Sequence, residues 1–135
     1  MNATIQRRNT RHGHAGPASA AEEFAQRLLS DDCARLVEDF YTEGARFVRP
    51  DSFPIVGREP IRLHWTAVVQ AGLKDADISV SSVEEAGRDA IGLGRYNLTF
   101  GSGDQQESGA FFVRYRRQDD GSWKAAEHVF HSDSA

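Results

Sequence analysis

The last apolar stretch of the chain, "SWKAAEHVFHSD", carries a histidine at a position where it could do chemistry. Successive side chains of a strand point to opposite faces of a sheet, and this alternation predicts that His128 shares a face with Ala126 and Phe130. An inward histidine is a candidate acid or base, because its ordinary pKa of about 6.5 lies near neutral pH. The alternative is a hydrogen-bonded, partly buried side chain with no chemical role.

Three further polar residues are candidates for the same site. Arg49 and Asp51 flank a proline at the end of a short apolar run, and His64 lies in an amphipathic segment. Arg49 could hold an anion through its guanidinium group or pair with Asp51 or another surface acid, and Asp51 is either a working carboxylate or a solvated turn residue. His64 is a proton carrier or ligand donor, or an ordinary hydrogen-bonded histidine. With His128 it lacks an evident third ligand, so no metal site is predicted.

Composition narrows the class of protein. The chain has 135 residues and a net charge of -4, with 20 acidic against 16 basic residues, which disfavours a nucleic-acid surface. No apolar run is long enough for a membrane span, and no apolar leader suggests secretion. The lone Cys33 excludes an internal disulfide and fits a reducing cytoplasm. No phosphate-binding glycine loop precedes a helix, so no cofactor is predicted.

Length and composition predict one domain over residues 17–135, preceded by a disordered basic tail over residues 1–16. Helical periodicity predicts three helices, and the second is expected to be capped by Asp31-Asp32 and to end at Gly44. A short strand lies between the second and third helices, and four alternating strands follow the third. Helix, helix, strand, helix and four antiparallel strands indicate an α+β fold with helices on one face of a sheet. The helices lie within 17–30, 33–43 and 58–71, and the strands within 45–50, 76–85, 90–100, 107–118 and 123–131.

This order of elements resembles the nuclear transport factor 2-like superfamily, in particular its SnoaL-like and ketosteroid-isomerase-homologue proteins. The residues that carry the resemblance are "FYTEGARFVRPDSFPIVGREPIRLHW", "GRYNLTF" and "FFVRYRRQDDGSWKAAEHVFHSD", and it covers residues 18 to 133. It implies a cone in which a strongly curved antiparallel sheet wraps three helices and leaves a hydrophobic pocket for a small apolar molecule. It also implies a homodimer formed through the outer face of the sheet.

The resemblance, together with the alternation, assigns the two faces of the sheet. We expect Gly92 and Gly94 to leave volume inside the cone or to let the sheet bend sharply. The outer face is expected to carry Arg95, Asn97, Phe112, Arg114 and Arg116. The inner face is expected to carry Gly92, Gly94, Tyr96, Leu98, Phe100, Phe111, Val113, Tyr115, Ala126, His128 and Phe130, closed by Phe24, Leu28, His64 and Trp65 from the helices.

The chain departs from the catalytic set of the ketosteroid isomerases that it resembles. Those enzymes use a carboxylate base with a tyrosine and a protonated aspartic acid as oxyanion hole, and the matching positions here are Arg49, Phe24 and Phe111. Arginine stays protonated and cannot act as the base.

The resemblance therefore implies a small-molecule pocket protein, with isomerase, cyclase or lyase chemistry on an apolar carbonyl or polyketide-like substrate. The alternative is a non-catalytic homodimeric binding or accessory module. The predicted catalytic residues are His128 and Asp51, and the predicted binding residues are Arg49, His64, Trp65, Tyr96, Phe24, Phe111, Tyr115 and Phe130.

Overall fold

The computed structural model describes residues 16–30, 32–102 and 105–133. The predicted tail up to residue 15 and the predicted cap Asp31 lie outside these residues. The described chain forms three helices and six strands. In chain order they are α1 (Pro17–Arg27), α2 (Cys33–Phe40), β1 (Tyr41–Val48), β2 (Ile55–Val56), α3 (Arg58–Gln70), β3 (Leu73–Ala86), β4 (Asp89–Phe100), β5 (Gln105–Arg117) and β6 (Trp123–Ser132).

The six strands form one curved sheet in the order β2-β1-β6-β5-β4-β3. The four strands after α3 pair antiparallel with one another, as predicted. β1 instead runs parallel to β6, so the sheet is mixed. The parallel pairing is possible because α3 and the long meander separate β1 from β6 in the chain. The predicted α+β class is confirmed. None of the described helices is long and apolar enough to cross a membrane.

The second helix ends earlier than the sequence suggests. It stops at Phe40, and β1 begins at Tyr41, whose φ of -106° and ψ of 148° are those of a strand. Both rings are buried, at 4% and 0% exposure, because the abrupt change from helix to strand turns both of them into the core. Gly44, predicted to end the helix, is an exposed residue within β1. The predicted capping role is seen for Asp32, whose side chain accepts from the backbone N–H of Ala34 at 3.2 Å.

A β-bulge in β6 changes which alanine points inward. Pairing along β5 moves from Arg114 to Tyr115 while β6 skips one residue at Ala126. A bulge inserts one unpaired residue and shifts the alternation beyond it. Ala125 is therefore fully buried and Ala126 only half-buried, so the predicted inward position of Ala126 is wrong. His128, on the other side of the bulge, points inward as predicted.

The two glycines of β4 make room for neighbouring atoms rather than for an open space. A Cβ on Gly92 would lie 3.1 Å from the Tyr115 ring, which packs over it. A Cβ on Gly94 would lie 2.1 Å from the carbonyl oxygen of Ser79, beside the register shift that follows Val80 in β3. The predicted roles are open volume inside the cone or a sharp bend of the sheet. Gly94 fits the bend, because β3 approaches it closely there. The volume beside Gly92 is filled by the Tyr115 ring.

The inner and outer faces of β4 and β5 follow the prediction. On the outer face Arg95 and Arg116 are exposed, while Asn97, Phe112 and Arg114 are half-buried. The helices contribute Phe24, Leu28 and Trp65 as buried side chains. The predicted inner residues are buried at Gly92, Gly94, Tyr96, Leu98, Phe111, Val113 and Tyr115, and half-buried at Phe100.

Candidate functional site

His128 lies in the middle of β6 and has no exposed surface. Its imidazole stacks on Phe47 with ring centres 4.9 Å apart, and Phe130 meets it edge-on at 4.8 Å. Phe40, Phe24 and Phe111 stand edge-on to it at 5.6, 6.2 and 6.3 Å. Apart from tyrosine and tryptophan, His128 is the only buried residue of the described core with a polar side-chain group, and aromatic rings enclose it.

A hydrogen-bond chain fixes the protonation of this imidazole. The indole Nε1–H of Trp65 donates to the hydroxyl oxygen of Tyr41 at 3.2 Å, and that oxygen lies 2.8 Å from His128 Nδ1. The Tyr41 hydroxyl has one proton to donate, and Nδ1 is the acceptor that its hydrogen bonds offer among the described residues. This assignment, made from the hydrogen-bond network, places the ring proton of His128 on Nε2.

Burial controls the charge of His128. Loss of solvation lowers the pKa of His128 to about 3, and the positive charge of Arg49 acts in the same direction. The ordinary pKa expected from the sequence therefore does not hold. At neutral pH the ring is an uncharged donor through Nε2–H.

Arg49 lies in a second polar cluster, which contains a residue that the sequence did not single out. Its Nη2 donates to Glu107 Oε1 at 2.7 Å, and the hydroxyl of Tyr96 donates to Glu107 Oε2, also at 2.7 Å. Tyr96 stacks on Phe130 at 4.0 Å, and the guanidinium carbon of Arg49 lies 5.7 Å from the centre of the same ring. Phe130 thus connects this cluster to His128.

The other two polar candidates lie in different surroundings. Asp51 is exposed in the turn after β1, with a left-handed φ of 55°. Among the described residues no hydrogen bond is found between Asp51 and Arg49 or His128. His64 is half-buried against Phe47, with ring centres 5.5 Å apart. Burial, followed by the charge of Arg49, lowers the pKa of His64 to about 4, although Glu107 opposes the shift.

Four buried polar atoms have no hydrogen-bond partner among the described residues: Arg49 Nη1, His64 Nε2, Tyr115 Oη and His128 Nε2. All four belong to residues that the sequence predicted for the site. Burial raises the pKa of the Tyr115 hydroxyl, so this group also stays protonated and able to donate. Buried polar groups are nearly always hydrogen-bonded, and leaving one unpaired costs about 1–3 kcal/mol. Arg49 Nη1, the Tyr115 hydroxyl and His128 Nε2–H are donors, so each of them lacks an acceptor.

The predicted aromatic lining residues are in the core, and the open pocket stays a prediction. Phe24, Trp65, Phe111, Tyr115 and Phe130 are all buried. A cleft of about 280 Å³ lies elsewhere, on the surface between α2 and α3. It is lined by Ala34, Val37, Glu38, Arg58, Glu59 and Arg62.

Two polar residues of the site, Tyr41 and Glu107, could not be identified as site residues from the sequence alone. Tyr41 follows an apolar helical stripe and reads as the end of that helix. Glu107 is signalled only by alternation, since it lies four positions before Phe111 and therefore on the inner face. The burial that shifts the histidine pKa values depends on contacts between distant elements.

Comparison with known proteins identifies the fold. No protein-family model and no curated protein matches the sequence. Among solved structures, a ketosteroid isomerase-like protein from Erwinia carotovora is similar, with a TM-score of 0.72, 16% identity and coverage of 87% of this chain and 93% of that one. A nuclear transport factor 2-like superfamily protein from Salmonella enterica has a TM-score of 0.74, 9% identity and coverage of 99% and 95%.

A third structure adds the same description of the fold. A nuclear transport factor 2-like protein with a cystatin-like fold from Novosphingobium aromaticivorans has a TM-score of 0.71 and 15% identity, covering 98% of this chain and 86% of that one. These neighbours confirm the nuclear transport factor 2-like fold that the resemblance predicts.

Proposed function

We propose that this chain, whose fold is nuclear transport factor 2-like, binds a small, mostly apolar molecule with an oxygen acceptor inside its cone. The observation that carries the proposal is the set of four unpartnered polar atoms, which belong to Arg49, His64, Tyr115 and His128. The side chains around these atoms are aromatic. The apolar body of a ligand would therefore contact the rings, and its polar group would pair with the unpartnered atoms. Since the rings of the core contact one another, we expect side-chain rotation when a ligand is admitted.

The charges favour a carbonyl compound over a carboxylate. The Arg49 guanidinium is already paired with Glu107 at 2.7 Å, so the cluster carries no net charge. A ligand carboxylate would add an uncompensated negative charge to a buried site, which is costly. A neutral carbonyl oxygen can instead accept from His128 Nε2–H without bringing a charge into the core.

Binding is tested by isothermal titration with two ligands of the same shape. 2-Acetylnaphthalene offers a carbonyl oxygen, and 2-isopropenylnaphthalene replaces that oxygen with a methylene group. We expect the ketone to bind more tightly by about tenfold, the effect of roughly one hydrogen bond. His128→Leu should abolish the difference between the two ligands.

His131→Leu is the matched control, because His131 lies on the same strand but is exposed. It should leave the preference for the ketone intact. Equal affinity of the native protein for both ligands, or binding of neither, would contradict the proposal.

A second candidate function, proton transfer next to a carbonyl group, is favoured by the position of Glu107. This carboxylate is held by Arg49 and Tyr96, and their cluster touches Phe130, which in turn contacts His128. A carboxylate base with a neutral donor to the carbonyl oxygen is the combination that enolisation needs. His128 itself is unsuited to carry the proton, because its pKa is lowered to about 3.

The test follows the exchange of the α-hydrogens of 2-tetralone in deuterated water by proton NMR. We expect exchange catalysed by the native protein to fall by about 100-fold or more in Glu107→Gln, because general-base catalysis has an effect of this order. Asp51→Asn is the comparison, since the sequence predicts Asp51 as the catalytic carboxylate. If exchange is slow in Asp51→Asn and remains fast in Glu107→Gln, the base is Asp51. If neither the native protein nor a variant catalyses exchange, binding alone is the function. The homodimer and the cytoplasmic location stay predictions.

A further inference from the structure

We propose that Trp65 and Tyr41 act as positioning residues that set the polarity of the ligand, by holding His128 in the tautomer that donates into the cone. This inference rests on the proposed binding function and adds to it a ligand class: molecules that present an acceptor, and no N–H or O–H group, to His128. Trp65, Tyr41 and His128 are all fully buried, so water cannot replace any hydrogen bond in the chain.

Ring packing prevents the imidazole from turning over. Phe47 stacks on His128 at 4.9 Å with an interplanar angle of 28°, and also on Trp65 at 5.3 Å with an angle of 23°. Phe130 stands edge-on to His128 at 4.8 Å and limits rotation in the plane of the stack. The ring is therefore held with Nδ1 at the Tyr41 hydroxyl and Nε2 at the opposite side.

The other tautomer would leave the Tyr41 hydroxyl proton without an acceptor. With the proton on Nδ1, both Trp65 and His128 would donate to the Tyr41 oxygen, and the hydroxyl proton would lose its acceptor. In the free protein each tautomer leaves one buried donor unpaired, Nε2–H in one and the Tyr41 O–H in the other, and the second also leaves Nε2 without a donor. When a ligand oxygen accepts from Nε2–H, the native tautomer leaves neither of these donors unpaired, whereas the other still leaves the Tyr41 O–H unpaired at a cost of about 1–3 kcal/mol. A ligand N–H or O–H directed at Nε2 would require this change, whereas a ligand oxygen would not. The native chain of donors therefore discriminates between the two ligand classes.

The tautomer can be read directly in the free protein. In a long-range 1H–15N spectrum, the two ring nitrogens of His128 have distinct shifts for the protonated and unprotonated states. We expect the native protein to show protonated Nε2 and bare Nδ1 at neutral pH. Tyr41→Phe should yield a mixture of tautomers, because no donor then fixes Nδ1. Protonated Nδ1 in the native protein would overturn the inference, whatever ligands bind.

Trp65→Phe provides a second variant in case Tyr41→Phe does not fold. It removes the indole donor, and we expect the population of the Nε2–H tautomer to fall. Trp123→Phe is the matched control, because Trp123 contacts Arg117 and not Tyr41. An unchanged His128 spectrum in both folded variants, Tyr41→Phe and Trp65→Phe, would overturn the positioning role.

Ligand preference supplies the last readout. Benz[f]indole presents an N–H group on a flat apolar body, and 2-acetylnaphthalene presents an oxygen. We expect the ratio of their affinities to fall by about tenfold in Tyr41→Phe, as the energy that separates the tautomers is lost. An unchanged ratio would overturn the inference while leaving the binding function in place. Failure of both ligands to bind, with the Nε2–H tautomer present, would reject the binding function and the ligand class together.

Discussion

Acidification from pH 7 to pH 5 is expected to remove about 2 kcal/mol of the free energy of unfolding through His128 alone. The unfolded chain takes up this proton with the ordinary pKa of about 6.5. In the folded protein, burial lowers the pKa of His128 to about 3. Between these two values the unfolded state binds more protons than the folded state, so the stability falls as the pH falls. The stabilisation is complete above the unfolded pKa.

The measurement is urea unfolding followed by tryptophan fluorescence at several pH values. His128→Gln removes the titrating group, and the difference between its pH dependence and that of the native protein isolates the contribution of His128. His131→Gln, at an exposed position of the same strand, should leave the native pH dependence unchanged. Parallel curves for the native protein and His128→Gln would show that the imidazole is not held neutral by burial.

Gly94→Ala is expected to lower the free energy of unfolding by at least about 3 kcal/mol, and to leave much of the protein insoluble. The added Cβ would lie 2.1 Å from the Ser79 carbonyl oxygen, 2.7 Å from the Phe111 ring and 2.9 Å from the Cα of Val80. Two of these atoms belong to the backbone of β3 at its register shift, so they cannot move without opening the β3–β4 pairing.

Gly44→Ala is the matched control for this substitution. It also adds one methyl group to a strand glycine, but apart from the two adjacent residues no atom of the described part of the chain lies within 4 Å of the new Cβ. We expect it to be neutral or to stabilise the protein by about 0.5 kcal/mol, since alanine restricts the unfolded chain. Thermal denaturation of both variants checks the pair. Similar melting temperatures for Gly94→Ala and the native protein would contradict the close approach of β3 and β4.

The sequence is sufficient to predict the long strands and their faces. Alternation from Asp89 onward groups the inner-face residues of each strand, the resemblance makes that face the inner one, and the structure agrees at Tyr96, Phe111 and Tyr115. The alternation gives the wrong face for Ala126, because β6 has a bulge there. Nothing in the pair Ala125-Ala126 signals that extra residue in the sequence. The helical periodicity also predicts the end of α2 too late, at Gly44 instead of Phe40. Phe40 and Tyr41 continue the helical pattern, and only their burial against other elements shows where the helix gives way to β1.

The candidate site was partly predictable for a similar reason. The inward direction of His128 follows from local alternation, whereas its hydrogen bond to Tyr41 joins residues 87 positions apart. The pairing of Arg49 with Glu107 likewise spans 58 positions. Such partners are determined by the register of neighbouring strands and by ring packing. The lowered pKa of His128 depends on the same long-range burial.

The arrangement of polar groups distinguishes this chain from the ketosteroid isomerases it resembles. The resemblance predicts Arg49 at the position of the base, and Phe24 and Phe111 at the positions of the oxyanion hole. Other residues on the inner face, His128 and Glu107, supply a neutral donor and a carboxylate. Four buried polar atoms lack a partner among the described residues, and this supports the proposed ligand.

The most direct measurement of the central proposal is the response of the His128 Nε2–H resonance to a saturating concentration of 2-acetylnaphthalene. If the ketone binds inside the cone, this proton should move downfield as it enters a hydrogen bond, and the indole N–H of Trp65 should shift with it. If the ketone binds while both resonances stay in place and only outer-face amides such as that of Phe112 shift, the interior is not the binding site.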